Sequence, residues 1–247
     1  MRKIVFLGGS ELDSSSWGDC MKILESNGYR CRAIDWLGML ATPEPGEIVE
    51  RIVRQLDDFR GGDLALLGHS AGGLLLPGIG LGTGAEIAIY VAALVAHPGE
   101  NFHERVFSNE PVFEEEWLAA WAQRPPDERK IERLLFHDCP PGTRARYWKA
   151  NGTELARVYD RVTPREDGFR VRHYITCTQD RTIHVEWQRQ AGRPPRYRPW
   201  EFESGHCPQL AKPQAFARLM MKLLCESGES GGSGITRTPA APDQCTG

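Results

Sequence analysis

No stretch of this sequence approaches the roughly 20 apolar residues that a membrane-spanning helix needs, so a helical membrane protein is not expected. The apolar start, Ile4 to Leu7, is too short for the core of a secretory signal, which takes at least about 7 residues, and a cytoplasmic location is the expectation. The seven cysteines (Cys20, Cys31, Cys139, Cys177, Cys207, Cys225 and Cys245) are scattered and contain no CxxC pair. A dispersed, odd set in a chain of 247 residues predicts free thiols in a reducing compartment rather than a disulfide framework. HxH and HExxH spacings are missing, and so is a G-x-x-x-x-G-K phosphate loop, so neither a metal nor any other cofactor is expected. There is also no excess of basic charge: 30 Lys and Arg stand against 33 Asp and Glu, giving a net charge of -3. A polyanion would find little to hold. The expected partner is a small-molecule substrate, not nucleic acid and not a membrane, with the chain acting as a monomer or homodimer.

What is present is 40% hydrophobic residues in a length that suits a large domain with a buried core. Lys3 to Leu7 is a short apolar run closed by Gly8-Gly9, the pattern of a strand buried on both faces. Ser14 to Asn27 has helical spacing and stops at Gly28, and Tyr29 to Ile34 alternates as a strand. Pro43 and Pro45 mark a loop before an amphipathic helix over Glu47 to Phe59. Strands are predicted at Asp63 to Leu67, Ile87 to Ala96, Val171 to Thr178 and Tyr197 to Phe202. Helices are predicted after Ser70, at Glu186 to Gln190 and at Pro213 to Leu224. This alternation implies an α/β fold with a mostly parallel central sheet flanked by helices. Between about 99 and 167 the rhythm breaks into helices without strands, read as a cap over the carboxyl ends of the strands, where open α/β sheets bind ligands. Residues 1–225 form the domain. Residues 226–247, rich in Gly, Ser and Pro, have little to bury and are expected to be disordered.

The strongest chemical signal is Gly68-His69-Ser70-Ala71-Gly72, a G-x-S-x-G pattern set between an apolar strand and a helix. A serine there occupies a sharp, strained turn that lifts its hydroxyl above the sheet. A hydroxyl is a poor nucleophile until a base takes its proton, so an acid and a histidine should follow in the order Ser…Asp…His. Asp180 lies just past the strand ending at Thr178, and His206 follows the last strand in Gly205-His206-Cys207-Pro208. Ser70, Asp180 and His206 are therefore the predicted catalytic residues. The backbone N–H groups of Ser10, in the glycine turn after the first strand, and of Ala71 are the predicted oxyanion donors, and Gly9 is a candidate for the substrate pocket. His69, as the variable residue of the turn, and Trp117, Trp121, Phe136, Tyr147 and Trp148 of the cap are candidates for the pocket wall.

With these residues in place, the chain resembles the α/β-hydrolases, and more narrowly the small bacterial hydrolases related to plant methylesterases and hydroxynitrile lyases. The resemblance spans roughly residues 2–225. It rests on GHSAGG, on Val91-Ala92-Ala93 running to His97-Pro98-Gly99, on Phe136-His137-Asp138-Cys139-Pro140, on the stretch from Tyr174 to Ile183, and on Gly205-His206. It implies a helical cap inserted after the family's sixth strand, Ser70 as nucleophile, His206 as base and Asp180 as its orienter. Three features depart from the family. Gly8 replaces the usual histidine before the oxyanion glycine. Pro77, with Gly78, Gly80 and Gly82, is expected to kink or end the helix after the nucleophile early. Cys207 stands where the lyases carry a lysine, which disfavours cyanohydrin cleavage. The leading expectation is a serine hydrolase for a small or medium carboxylic ester, thioester or lactone. A lyase, cyclase or acyl-transfer enzyme of specialised metabolism, and a non-catalytic small-ligand receptor, are the alternatives on the same fold.

Overall fold

The computed structural model describes residues 2–40, 47–107, 110–148 and 156–229. The stretch around Pro43 and Pro45, and the tail from residue 230 on, lie outside the described residues. Among the described residues six strands form one parallel sheet: β1 (Lys3–Leu7), β2 (Arg30–Ile34), β3 (Leu64–His69), β4 (Ile87–Val91), β5 (Val171–Cys177) and β6 (Arg198–Phe202), in the order β2-β1-β3-β4-β5-β6. In chain order the helices are α1 (Gly18–Ser26), α2 (Trp36–Leu40), α3 (Ile48–Arg54), α4 (Leu76–Thr83), α5 (Phe102–Phe107), α6 (Glu115–Ala122), α7 (Glu128–Leu135) and α8 (Thr143–Tyr147). They continue with α9 (Ala156–Tyr159), α10 (Val185–Ala191), α11 (Pro208–Ala211) and α12 (Pro213–Glu229). None of the described helices is long and apolar enough to cross a membrane.

Strand residues alternate between the two faces, and each face has its own core. Ile4 and Phe6 of β1, with Ala65 and Leu67 of β3, pack under Trp17, Leu24 of α1, and Phe216 and Met220 of α12. Val5, Leu7 and Leu66 point the other way, against Ile48 and Ile52 of α3 and Leu76 and Ile79 of α4. A fully buried Leu or Ile contributes on the order of 1.5–3 kcal/mol, so these continuous apolar strands bind helices on both sides. The chain leaves β1 for α1 on one face and leaves β3 for α4 on the other, although β1 and β3 are neighbours. Such a reversal opens a crevice beyond the carboxyl ends of the two strands. The segment Gly8–Glu11 and the start of the chain after His69 border it.

Four local expectations change. The helix expected over Glu47 to Phe59 stops at Arg54 and gives way to turns, with Leu56 and Phe59 still buried. The strand expected to run to Ala96 ends at Val91, because Ala92 takes a left-handed backbone (φ 40°) that breaks the ladder. Pro77 does not break the helix after Ser70. A 3₁₀ turn over Ser70–Leu75 comes first, and Pro77 falls in the opening turn of α4, where its missing N–H costs nothing. Gly80 of α4 is needed for packing, since a Cβ there would lie 2.5 Å from the Phe169 ring and 2.8 Å from the Asp167 carbonyl oxygen. Lastly, α12 extends through residues 226–229, which were expected to belong to the disordered tail.

Helices α5 to α9 occupy the stretch between β4 and β5, where the cap was expected. Bridges between Leu12 and Trp148, and between Phe113 and Ile183, tie this stretch to loops at the carboxyl edge of the sheet.

Candidate active site

Ser70 follows β3 directly and has φ 50°, left-handed backbone that a side-chain-bearing residue seldom adopts. The turn is sharp enough to leave no room on either side. A Cβ on Gly68 would sit 2.9 Å from the Gly73 backbone, and one on Gly72 would sit 2.6 Å from the Gly8 carbonyl oxygen. The glycines of the pattern are thus fixed by close approach of backbone to backbone. The Ser70 carbonyl in turn accepts the Leu94 N–H at 3.0 Å, a bond made possible by the bend at Ala92.

Asp180 and His206 come from the loops after β5 and β6, which are laced together: Thr178 N–H donates to the Phe202 carbonyl and Gln179 N–H to that of Ser204, each at 3.0 Å. His206 Nδ1 lies 2.7 Å from Asp180 Oδ2, with both side chains buried. The other carboxylate oxygen of Asp180 accepts the Thr182 N–H and hydroxyl, both at 2.8 Å, and the Ile183 N–H at 3.2 Å. Gln188 of α10 donates its side-chain N–H to Asp180 Oδ2 at 2.8 Å. Burial alone would raise the Asp180 pKa. The neighbouring His206 and the hydrogen bonds from it and from Thr182 outweigh burial and hold the carboxyl below its ordinary value. Because the carboxylate only accepts, His206 Nδ1 carries a proton towards it, which leaves Nε2 free to act as a base.

Ser70 and His206 line the same cavity, of about 570 Å³. Its polar lining is completed by Ser10, Glu11, Arg124, Tyr159 and Thr182, and its apolar wall by Leu94, Phe113, Trp117, Leu118, Trp121, Pro126 and Ile183. The two indoles meet edge to face, 5.8 Å between centroids. The segment carrying Ser10 lies against the serine, since a Cβ on Gly9 would fall 2.9 Å from Ser70 Cβ. Ser10 and Ala71 are both buried beside the serine. Among the described residues no group of His, Cys, Asp or Glu side chains could hold a metal ion.

Several candidates for the pocket wall lie elsewhere. Phe136 does not border the cavity; it packs with Ile131, Leu135 and Cys207 in the apolar cluster that also holds Trp117. Tyr147 and Trp148 brace the segment after β1, through the Tyr147 carbonyl, which accepts Asp13 N–H at 3.2 Å, and through the Leu12–Trp148 bridge. Tyr147 and Trp148 also pack against the cluster that holds Trp117, behind the cavity wall. Gly9 does not border the cavity either, and His69 faces away from it, its Nε2–H donating to the His206 carbonyl at 2.8 Å. Burial, reinforced by the nearby His206, pushes the His69 pKa down to about 3, so this imidazole stays neutral.

Three supports were not anticipated from the sequence. Gln188 and Thr182 hold the Asp180 carboxylate. Asp138 accepts the Gly205 N–H at 2.6 Å and the Ser204 hydroxyl at 3.0 Å, so the Phe136-to-Pro140 segment latches the loop that carries His206. Glu11, a buried carboxyl in the cavity, could have been noticed as the one acidic residue immediately after the glycine turn.

Among solved structures, the chain is similar to a pyrethroid hydrolase from Sphingobium faniae JZ-2, at 18% identity and a TM-score of 0.70, covering 92% of this chain and 99% of that one. It is also similar to polyneuridine aldehyde esterase, at 16% identity and a TM-score of 0.72, with 90% and 99% covered. A methylesterase from Arabidopsis gives 16% identity and a TM-score of 0.68, with 92% and 100% covered. At these identities the likeness is one of fold. Comparison with curated proteins gives no match. The description of the alpha/beta hydrolase family, by contrast, matches residues 4–219, from within β1 to within α12, and on that match the chain belongs to the alpha/beta hydrolase family.

Proposed function

We propose that the protein is a serine esterase that cleaves a small or medium carboxylic ester, thioester or lactone through an acyl-enzyme. Ser70 attacks the carbonyl while His206 takes its proton, and Asp180 holds the imidazolium. The Ser10 and Ala71 N–H groups stabilise the oxyanion of the tetrahedral intermediate. His206 then protonates the leaving group and activates the water that releases the acid. The observation that carries this reading is the buried 2.7 Å pair between His206 and Asp180 at the mouth of the cavity that Ser70 lines. The wall of Trp117, Trp121 and Phe113 favours an apolar acyl or aryl group on the substrate. Esterase and hydrolase relatives of the same fold agree with this reading. The proposed setting is the cytoplasm, in keeping with Cys20, Cys31, Cys139, Cys177 and Cys207 being free thiols.

The test is covalent labelling with a fluorophosphonate alongside turnover of p-nitrophenyl butyrate. The wild-type protein should be labelled and should turn over, and Ser70→Ala should lose both while keeping its circular dichroism and unfolding midpoint. Labelling of the variant, or undiminished turnover by it, would refute the assignment.

A further inference from the structure

Glu11 is not needed for any step of the proposed reaction, yet its side chain is buried and faces the same cavity as Ser70 and His206. It sits in a tight turn: Leu12 N–H reaches back to the Gly9 carbonyl at 3.5 Å, with Ser10 and Glu11 at the corner. The Leu12–Trp148 bridge fixes the far side of that turn, so the carboxyl is held in place. Around it stand Ser10, whose hydroxyl is near enough to act on both Glu11 and Tyr159, and the His206 ring. Among the described residues no lysine or arginine forms an ion pair with it.

A carboxyl in an apolar-walled cavity is costly unless something donates to it. Ser10 and the backbone N–H of Glu11 itself are the donors within reach, and a carboxyl has room for more. Burial, partly offset by the Ser10 bond and by His206, raises its pKa above the ordinary value. The group can accept a hydrogen bond in both protonation states. An ionised carboxyl so near Ser70 would also oppose the developing oxyanion, unless a donor on the substrate satisfied its charge.

Building on the esterase reading, we infer that Glu11 is a specificity-determining residue that accepts a hydrogen bond from a hydroxyl or ammonium group of the substrate close to the scissile carbonyl. The preferred substrates are then 2-hydroxy or 2-amino esters with an apolar remainder, the polar group on Glu11 and the remainder against Trp117 and Trp121.

Three esters of one shape separate the possibilities: methyl phenylacetate, methyl mandelate and methyl phenylglycinate, assayed with wild type, Glu11→Gln and Glu11→Leu. Wild type should favour the hydroxy or amino ester over methyl phenylacetate by about tenfold or more in kcat/KM. That ratio should fall towards one in Glu11→Leu. Glu11→Gln, which keeps an accepting oxygen and the same shape, should retain a preference for the hydroxyl but lose most of that for the ammonium. A ratio the same in all three proteins would overturn the inference. Binding of benzylamine against toluene, read by tryptophan fluorescence, tests the same contact without chemistry. Wild type should bind benzylamine more tightly and Glu11→Leu should not; equal binding of both ligands by wild type overturns the inference, whether or not any ester is hydrolysed. Failure to hydrolyse any of the esters, with benzylamine still preferred, counts against the esterase reading and leaves the Glu11 contact supported.

Discussion

The imidazole of His69 donates to the backbone carbonyl of His206 at 2.8 Å, so the residue beside the proposed nucleophile holds the main chain of the proposed base. The ring centroids are 4.7 Å apart, and His69 Nδ1 is buried with no hydrogen-bond partner. Such an environment tolerates only the neutral ring. A charged His69 would be desolvated and would face a second imidazole.

This fixes how stability responds to acid. The His69 pKa falls from 6.5 to about 3 on folding, and burial lowers that of His173 to about 4. Below the unfolded value the unfolded chain binds protons that the folded chain refuses. The contribution is therefore complete above about pH 6.5, shrinks as pH falls, and stops shrinking only below the folded values. Urea midpoints for wild type should drop between pH 7 and pH 5. His69→Gln keeps a donor for the His206 carbonyl but cannot titrate. Its drop should be shallower by as much as about 1.4 kcal/mol per pH unit. Parallel curves for the two proteins would count against a neutral, buried His69.

A second relationship acts on the loop instead of the ring. Asp138 accepts from both Ser204 and Gly205, the two residues before His206, and a Cβ on Gly205 would lie 2.5 Å from its other carboxylate oxygen. Removing it with Asp138→Ala leaves the Gly205 N–H without its acceptor and unlatches the loop. Stability should fall by about 1–3 kcal/mol. Displacement of the base by about 1 Å can cost as much as about 100-fold in rate, so kcat should fall while KM stays nearly constant. Asp138→Asn retains one accepting oxygen and should recover most of kcat. A loss confined to KM, or no recovery in the conservative variant, would show that Asp138 does not position the loop.

Much of this arrangement can be read from the chain, and the exceptions share a cause. Leu64 to Leu67 and Ile87 to Val91 are continuous apolar runs because both faces of their strands are covered, and covering leaves a direct mark on composition. Ser70, Asp180 and His206 could be nominated because the topology puts every strand's carboxyl end on one edge, so order along the chain becomes proximity in space. Direction within the cap leaves no such mark. Trp117 and Trp148 are the same residue type in similar helical text, yet one borders the cavity and the other braces the segment after β1. Ala92 is equally silent, since alanine gives no hint of a left-handed backbone, and the bend there accompanies a long-range bond from Leu94 N–H to the Ser70 carbonyl. Pro77 misled because its effect depends on where the helix begins, and the 3₁₀ turn before it moved that start.

Gln188 was hidden for the opposite reason: a polar residue in a short helix reads as solvated, but this one is fully buried. Its amide N–H donates to Asp180 Oδ2 at 2.8 Å and to the Ile183 carbonyl at 3.1 Å, and its oxygen accepts Cys177 N–H at 3.0 Å. The side chain is thus satisfied as both donor and acceptor, beside a carboxylate kept ionised by His206. Gln188→Glu preserves the shape and, when protonated, can still give one hydrogen bond to Asp180. Once ionised, the new carboxyl would be buried against a like charge, so its folded pKa must rise well above the ordinary value of about 4.3. A raised folded value means that the folded state holds the proton longer than the unfolded one, and stability is lost as pH rises through that range. Relative to wild type, the variant should be mildly destabilised at pH 5 and worse at pH 8, by up to about 1.4 kcal/mol for each pH unit crossed. Gln188→Leu, which adds no charge, should show a deficit that hardly changes with pH. Urea midpoints at both pH values separate the two, and an equal deficit for Gln188→Glu at pH 5 and pH 8 would mean that Gln188 does not lie against an ionised Asp180.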